Sequence, residues 1–206
     1  MIYYTADLHF GYEPILNQRP FETIEEMDQT LIDNWNATVS DEDTVYIVGD
    51  FSYNGGQVPA QYFSRLRGHK HLIRGNHDTP LENAQDLFRY CDSVTDFWEL
   101  DDNGTHILLS HYPMIYDKGG YMIHGHLHAY RSHAYHLLRQ LPRVLNCGVD
   151  INHYKPVTLP ELIQNNERFY GPDSLQHFPP IEKPLKPAYS NGKLPRKPDF
   201  RPLPQR

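Results

Sequence analysis

Cysteine is scarce in this sequence, which contains only Cys91 and Cys147 among its 206 residues. Both lie among apolar residues, so we expect buried free thiols in a reducing compartment rather than a disulfide framework. No apolar run approaches the ~20 residues of a membrane-spanning helix. The N-terminus also lacks the basic start and apolar stretch of a signal peptide. These absences predict a cytoplasmic protein with no membrane segment.

Basic residues are too few to balance the acidic ones. The chain holds 19 Lys and Arg against 26 Asp and Glu, a formal net charge of −7. Residues 171–206 contain 7 of the basic and 3 of the acidic residues, which leaves 12 basic and 23 acidic residues in 1–170. Because an acidic body repels the phosphate backbone, duplex nucleic acid is not an expected partner unless metal ions reverse the local field.

Proline is concentrated at the C-terminal end, where residues 171–206 contain 9 of the chain's 17 prolines. Few helices or strands tolerate that density, so we expect a globular domain at 1–170 and an extended or disordered basic arm at 171–206. The arm could wrap the domain, mediate oligomer contacts or hold nucleic acid. The sequence leaves these roles, and the oligomeric state, open.

Five strand-like runs each end in residues that bind metals. The central run, residues 44–48, is followed by Gly49 and Asp50. A carboxylate at the carboxyl end of a core strand lies where open α/β sheets bind ligands. A single Asp or His at such a place is usually a helix cap or a core residue, but here the pattern recurs. The other runs precede Asp7 and His9, Asn76 and His77, His111, and the pair His126 and His128.

Local patterns predict the elements around these runs. Thr23 with Glu26, and Thr158 with Glu161, form capping-box patterns that predict two helices. Asn103-Gly104 predicts a hairpin turn. Residues 129–143 are polar and are interpreted as a loop, either at the edge of the site or an ordinary excursion. If the chain is extended at Asp7-Leu8-His9, residues two apart point to the same side and can bind one ion.

The candidate ligands exceed what one ion needs, so two ions that share one carboxylate are the economical arrangement. None of the ligands is a thiolate, which favours manganese first, then iron, nickel or zinc, over a structural cysteine-type zinc. Two ions ~3.5–4 Å apart stabilise the attacking and leaving oxygens of phosphoryl transfer. The chemistry implied is hydrolysis by a metal-bridging hydroxide. The candidate ligands are Asp7, His9, Asp50, Asn76, His111, His126 and His128.

In their order and spacing, these five blocks resemble the calcineurin-like metallophosphoesterase superfamily, and the resemblance covers residues 7–128. It implies an α/β (α+β) fold, a four-layer αββα sandwich of two mixed β-sheets flanked by helices. It also implies a dinuclear centre in which Asp50 bridges the ions and His77 protonates the leaving oxygen. By position, the resemblance assigns Asp7, His9 and His128 to one ion and Asn76, His111 and His126 to the other.

The function we expect is hydrolysis of a small or nucleotide-like phosphate monoester or diester. Tyr12, Tyr53 and residues 129–136 are candidates for contacts to a base or phosphate, although Tyr12 fits core packing equally well. For Asp78 and Arg74 we favour structural roles. Two alternatives stay open: a small metal-dependent nuclease, and a non-enzymatic scaffold of the same fold that binds a partner or RNA through its tail.

Overall fold

The computed structural model describes residues 1–52, 60–78 and 87–177. Tyr53 and the part of the predicted arm from residue 178 onward lie outside the described residues. Within these ranges, eight strands form two four-stranded sheets. The strands are β1 (Ile2–Thr5), β2 (Thr44–Val48), β3 (His69–Ile73), β4 (Ser93–Thr95), β5 (Trp98–Asp102), β6 (Thr105–Leu109), β7 (Tyr121–His124) and β8 (Val144–Asn146).

The first sheet has the order β1-β2-β3-β4, and its neighbouring strands all pair in parallel. Parallel neighbours require crossover connections. Helix α1 (Ile24–Thr38) lies between β1 and β2, and helix α2 (Ala60–Phe63) lies between β2 and β3. An isolated antiparallel bridge also joins Tyr4 of β1 to Val157. Because the four strands run in the same direction, their carboxyl ends meet at one edge of this sheet.

The second sheet is mixed, with the order β5-β6-β7-β8. Strands β5 and β6 form the predicted hairpin, and the turn residues Asn103 and Gly104 have φ values of 52° and 84°. Positive φ at both positions is typical of a type I′ turn. Strands β6, β7 and β8 pair in parallel. Their carboxyl ends consequently lie at a common edge, as they do in the first sheet.

Both predicted helix caps are present. Thr23 Oγ1 accepts a hydrogen bond from the backbone N–H of Glu26 at the start of α1. A capping box of Thr158 and Glu161 begins the long C-terminal helix. Within the described ranges, no helix has both the length and the apolar composition needed to cross a membrane. The described residues also form α3 (His133–Leu138), α4 (Leu159–Tyr170), α5 (Ser174–His177) and, among their 3-10 helices, Glu13–Gln18 and Val149–Ile151.

Two of these helices lie where the sequence predicted irregular structure. Helix α3 lies within residues 129–143, which were interpreted as a loop, and it buries Tyr135 and Leu138. Six residues with two buried apolar side chains are too short for helical periodicity to be visible in the sequence. Helix α5 occupies part of the first seven residues of the predicted arm, where Ser174 is buried and its hydroxyl accepts a hydrogen bond from Arg131.

Three apolar clusters separate the layers. The outer face of the first sheet packs on α1 and α2 through a cluster that includes Val45 and Ile47 of β2. Val48, also on β2 but on the opposite face, packs with Ile107 and Ile123 of the second sheet. Leu108, Met122 and Val144 on the far face of the second sheet pack against Leu138 of α3. The result is the predicted helix–sheet–sheet–helix sandwich, with one difference: the four strands of the first sheet all pair in parallel, so only the second sheet is mixed.

Candidate metal centre

The seven candidate ligands follow five strands from both sheets. Asp7 and His9 follow β1, Asp50 follows β2, and Asn76 follows β3, all in the first sheet. The histidines at 111, 126 and 128 follow β6 and β7 in the second sheet. Four of the seven side chains are almost fully buried: Asp7 is 0% exposed, His9 2%, Asp50 1% and His111 1%. The site therefore lies where the carboxyl ends of the two sheets meet.

The backbone at these residues is left-handed, not extended as the sequence interpretation assumed. Five of the seven candidate ligands have positive φ: Asp7 (58°), His9 (53°), Asp50 (53°), His126 (69°) and His128 (49°). This conformation costs an L-residue roughly 1–2 kcal/mol. Such strain clusters at functional sites, where the surrounding structure maintains it. Proximity of Asp7 to His9, and of His126 to His128, thus comes from tight turns at the strand ends.

One cluster contains Asp7, His9 and His128, whose potential ligand atoms lie within 4.8 Å of one another. Asp7 Oδ1 accepts a hydrogen bond of 2.9 Å from the His126 backbone N–H. Asp7 Oδ2 and both ring nitrogens of His9 are buried and have no hydrogen-bond partner among the described residues. Burial also lowers the pKa of His9 well below its ordinary value, so the ring is neutral. Unpaired buried atoms and a neutral imidazole fit a bound cation.

The second cluster contains Asp50, His111 and His126, again with potential ligand atoms within 4.8 Å of one another. His111 Nδ1 lies 2.9 Å from the Val48 carbonyl oxygen, to which it can donate. His111 Nε2 then faces the site, 3.1 Å from Asn76 Oδ1 and 3.3 Å from Asp50 Oδ2. A ring nitrogen held by a backbone carbonyl leaves the other nitrogen oriented for a metal.

His111 and Asp50 favour a charged pair, with His111 protonated and Asp50 ionised. Burial opposes its protonation, but its hydrogen bond to Asp50 and the charges of Asp7 and Asp50 raise the pKa of His111 to about 9. Burial likewise opposes ionisation of Asp50, but the hydrogen bond and charge of His111 lower its pKa to about 2. The His111 proton therefore compensates carboxylates that a metal ion would otherwise neutralise.

Asp50 belongs to the second cluster and also lies next to the first. Its Oδ2 atom lies 3.3 Å from His111 Nε2 and 3.7 Å from His9 Nε2. Its Oδ1 atom accepts a 2.8 Å hydrogen bond from the His77 backbone N–H. A third group, His9, Asp50 and His77, also has its potential ligand atoms within 4.8 Å. The carboxylate that the sequence places at the end of the central strand is thus at the centre of the site.

Two glycines permit this close approach. A Cβ at Gly49, where φ is 89°, would lie 2.2 Å from His111 Nδ1. A Cβ at Gly75 would lie 2.2 Å from Asp50 Oδ1. Both distances are far inside van der Waals contact, so no other residue fits without moving a candidate ligand.

Asp78 holds together the two loops that carry Asp50 and Asn76. Its carboxylate accepts hydrogen bonds from the backbone N–H groups of Asp50, Phe51 and Gly75, at 2.9, 2.9 and 2.7 Å. These bonds connect the loop after β2 to the loop after β3. Arg74 forms a 2.5 Å ion pair with Asp96. Both observations support the structural roles favoured from the sequence.

Asp150 and Arg19 are the residues that the sequence interpretation missed. Asp150 Oδ2 lies 3.0 Å from His128 Nδ1, and the Arg19 guanidinium contacts both carboxylate oxygens at 2.8 and 3.0 Å. Arg19 is 0% exposed and also donates to the carbonyl oxygens of Asp7 and Leu8. Burial opposes ionisation of Asp150, but Arg19 and His128 lower its pKa below the ordinary value. This pair connects the segment after β1 to a candidate ligand in the loop after β7.

Comparison with known proteins shows what this chain resembles. The model of the calcineurin-like phosphoesterase family matches residues 1–181. An uncharacterized protein of Methanocaldococcus jannaschii is 34% identical over 174 residues, which cover 81% of this chain and 92% of the relative. The Gene 66 protein of Mycobacterium phage L5 is 31% identical over 72% of this chain and 86% of the phage protein.

A solved structure has the same architecture. The crystal structure of a protein of unknown function from Aquifex aeolicus covers 80% of this chain, and 98% of its own, with a TM-score of 0.63 and 28% sequence identity. A two-sheet α/β sandwich with histidines and aspartates clustered at its strand ends can hold metal ions at that edge. The chain belongs to the calcineurin-like phosphoesterase family, whose members hydrolyse phosphoesters and typically bind divalent metals.

Proposed function

We propose that this protein hydrolyses a small phosphate ester at a centre of two divalent cations that share Asp50. The observation that carries the proposal is the position of Asp50 Oδ2, within 3.7 Å of an imidazole nitrogen from each cluster. A single carboxylate between two histidine groups would be able to contact both ions of a pair. Asp7 and Asp50, two nearly buried carboxylates, also need positive charge close by.

The remaining donors divide between the two cations by cluster. Asp7, His9 and His128 would hold one cation, and His111, His126 and the nearby Asn76 oxygen would hold the other. The buried atoms of Asp7 and His9 that lack partners among the described residues fit this assignment. All donors are nitrogen or oxygen atoms, which suits manganese first and then iron, nickel or zinc.

The reaction needs an activated water and compensation of the negative charge on the phosphoryl group, and divalent cations supply both. The chain itself supplies the proton for the leaving oxygen. His77 is half-buried at the mouth of the site, with its ring centroid 5.0 Å from that of His9. Its backbone N–H donates to Asp50 Oδ1, so the same contact positions His77 and Asp50. An alkoxide leaves poorly without an acid, which gives His77 its role.

The substrate we propose is a phosphate monoester or diester of small or nucleotide-like size. The acidic composition of residues 1–170, with 12 basic against 23 acidic residues, disfavours binding of long polyanions. A short ester needs few contacts beyond those that hold its phosphate.

Hydrolysis of a panel of phosphate monoesters and diesters, with manganese added, tests the proposal. We expect His77→Gln to lower kcat by ~10²–10⁴-fold, as loss of a general acid does, with metal content unchanged. The control is His69→Gln, a histidine at the opposite end of β3 whose side chain is 58% exposed; this variant should hydrolyse normally. Failure of the metal-loaded protein to hydrolyse any ester would overturn the proposal and favour the scaffold.

A further inference from the structure

Tyr112 is an exposed aromatic side chain in contact with the candidate centre. It is 51% exposed, and its ring centroid lies 5.2 Å from that of His111 and 4.8 Å from that of His126. It follows β6 directly and belongs to none of the apolar clusters found among the described residues. An aromatic ring that the core does not use, placed beside a reactive site, is a surface that a ligand can cover.

A cavity of about 260 Å³ lies beside this ring. Because a liquid water occupies ~30 Å³, the cavity has room for a ring system and not merely for one or two solvent molecules. Two of its lining residues, Asn76 and His111, belong to the candidate centre, so the cavity opens directly onto it. The residues that line the cavity include Arg74, Asn76, Asp96, Ser110, His111 and Tyr112.

The charges in this cavity are paired. Arg74 Nη2 lies 2.5 Å from Asp96 Oδ1, and the Arg74 side chain is only 18% exposed. Because the carboxylate offsets the guanidinium, the wall does not favour a second phosphate as an uncompensated arginine would. It offers hydrogen-bond donors and acceptors side by side. A neutral planar ring that carries both kinds of group on its edge matches this wall, with its face on Tyr112.

We propose that this cavity binds the nucleobase of a nucleotide substrate, stacked on Tyr112 with its polar edge toward Arg74 and Asp96. The inference rests on the proposed function, because it places the base next to the phosphate that the centre would hydrolyse. The base belongs either to a mononucleotide or to the end of an oligonucleotide.

The test compares esters that differ only by the base. In adenosine 5′-monophosphate and in ribose 5-phosphate the leaving oxygen is that of a primary alcohol at carbon 5 of ribose, and the methyl esters of the two phosphates form a matched diester pair. We expect kcat/KM to be at least ~10-fold higher for the nucleotide, because stacking of one base on one aromatic ring provides a binding free energy of that size. The difference should appear in KM. Trinucleotides that end in adenosine distinguish a strand end from a mononucleotide, according to which has the higher kcat/KM.

Variants locate the effect. Tyr112→Leu should remove the preference for the base, and Tyr112→Phe should restore it. Tyr116→Leu is the control and should keep the preference, because Tyr116 is likewise an exposed tyrosine, at 65%, but does not line the cavity. Equal kcat/KM with and without the base, or equal loss in Tyr112→Leu and Tyr116→Leu, would overturn the inference.

A second readout does not depend on turnover. Saturation-transfer NMR on the wild-type protein should show transfer to the adenine protons of adenosine 5′-monophosphate, and Tyr112→Leu should abolish it. If no ester is hydrolysed but this signal is present and requires Tyr112, the proposed function fails while the base site stands. If esters are hydrolysed without any adenine signal, the base site fails alone.

Discussion

Replacing Asp150 with Asn should weaken one half of the candidate metal centre and destabilise the fold. The Asp150 carboxylate accepts from His128 Nδ1 at 3.0 Å and from the Arg19 guanidinium at 2.8 and 3.0 Å. The Asp150 side chain is 5% exposed and that of Arg19 is 0% exposed. Asn keeps the shape but loses the charge, so the guanidinium becomes a buried cation without its carboxylate.

Two magnitudes follow from this environment. Breaking a buried ion pair by removing one partner costs ~3–5 kcal/mol of unfolding free energy. Loss of the carboxylate that orients a metal-binding histidine typically lowers metal affinity ~10–100-fold, which is ~1.4–2.8 kcal/mol. The affinity loss should be confined to the cation held by Asp7, His9 and His128, since Asp150 contacts no residue assigned to the other cation alone.

Calorimetric titration with manganese measures the two binding events, and urea unfolding of metal-free protein measures stability. The double variant Arg19→Met with Asp150→Asn separates the effects. Removing the unpaired guanidinium should recover part of the lost stability, because apolar side chains can replace buried ion pairs. The metal affinity should stay low, since His128 still lacks its carboxylate partner.

The positioning role would be refuted by a folded Asp150→Asn variant that binds two manganese ions with wild-type affinity. Equal weakening of both binding events would also refute it, because that pattern indicates general loosening of the fold and not misorientation of His128. Circular dichroism of each variant before titration shows whether it is folded.

Three further predictions follow. Metal binding at pH 7 should release a proton from His111, because the pKa of this histidine is about 9, and metal affinity should therefore rise with pH up to that value. In metal-free protein, the stabilisation of the fold by protonated His111 should be complete below pH ~6.5 and lost as the pH rises through the pKa of about 9. Calorimetry measures both effects. Gly75→Ala should displace Asp50 and abolish shared metal binding in a titration, whereas Gly104→Ala, with nothing within 4 Å, should cost only about 1 kcal/mol of left-handed strain. Asp78→Ala should cost about 3 kcal/mol or more in urea unfolding, since three backbone N–H groups lose their acceptor; unchanged stability would contradict that role.

The strands and the main helices could be predicted because their signals are local. Strand β2 is a continuous apolar run that ends in Gly49 and Asp50, and parallel strands buried on both faces have this pattern. Helix α1 begins at a cap that the sequence shows directly. Helix α3 was missed because its six residues are too short for a periodic signal, and β4 because it has only three residues.

The Arg19–Asp150 pair could not be predicted for a different reason. The two residues are 131 positions apart, and each is a single charged residue without a surrounding motif. Nothing local distinguishes a buried arginine from a solvent-exposed one. The role proposed for Tyr112 could not be predicted for the same reason. It depends on a cavity whose walls come from the ends of β3 and β6 and from the loop after β4.

The order and chemical nature of the donor side chains are properties of the sequence, since every donor follows one of five strands and each strand is encoded by neighbouring residues. Their convergence is a property of the folded molecule. Asp50 comes from one sheet and His111 from the other, so they approach to 3.3 Å only because the apolar faces of the two sheets pack together. The left-handed turns at Asp7, His9 and Asp50 have the same origin, because long-range packing and buried hydrogen bonds compensate strain that no short segment would adopt alone.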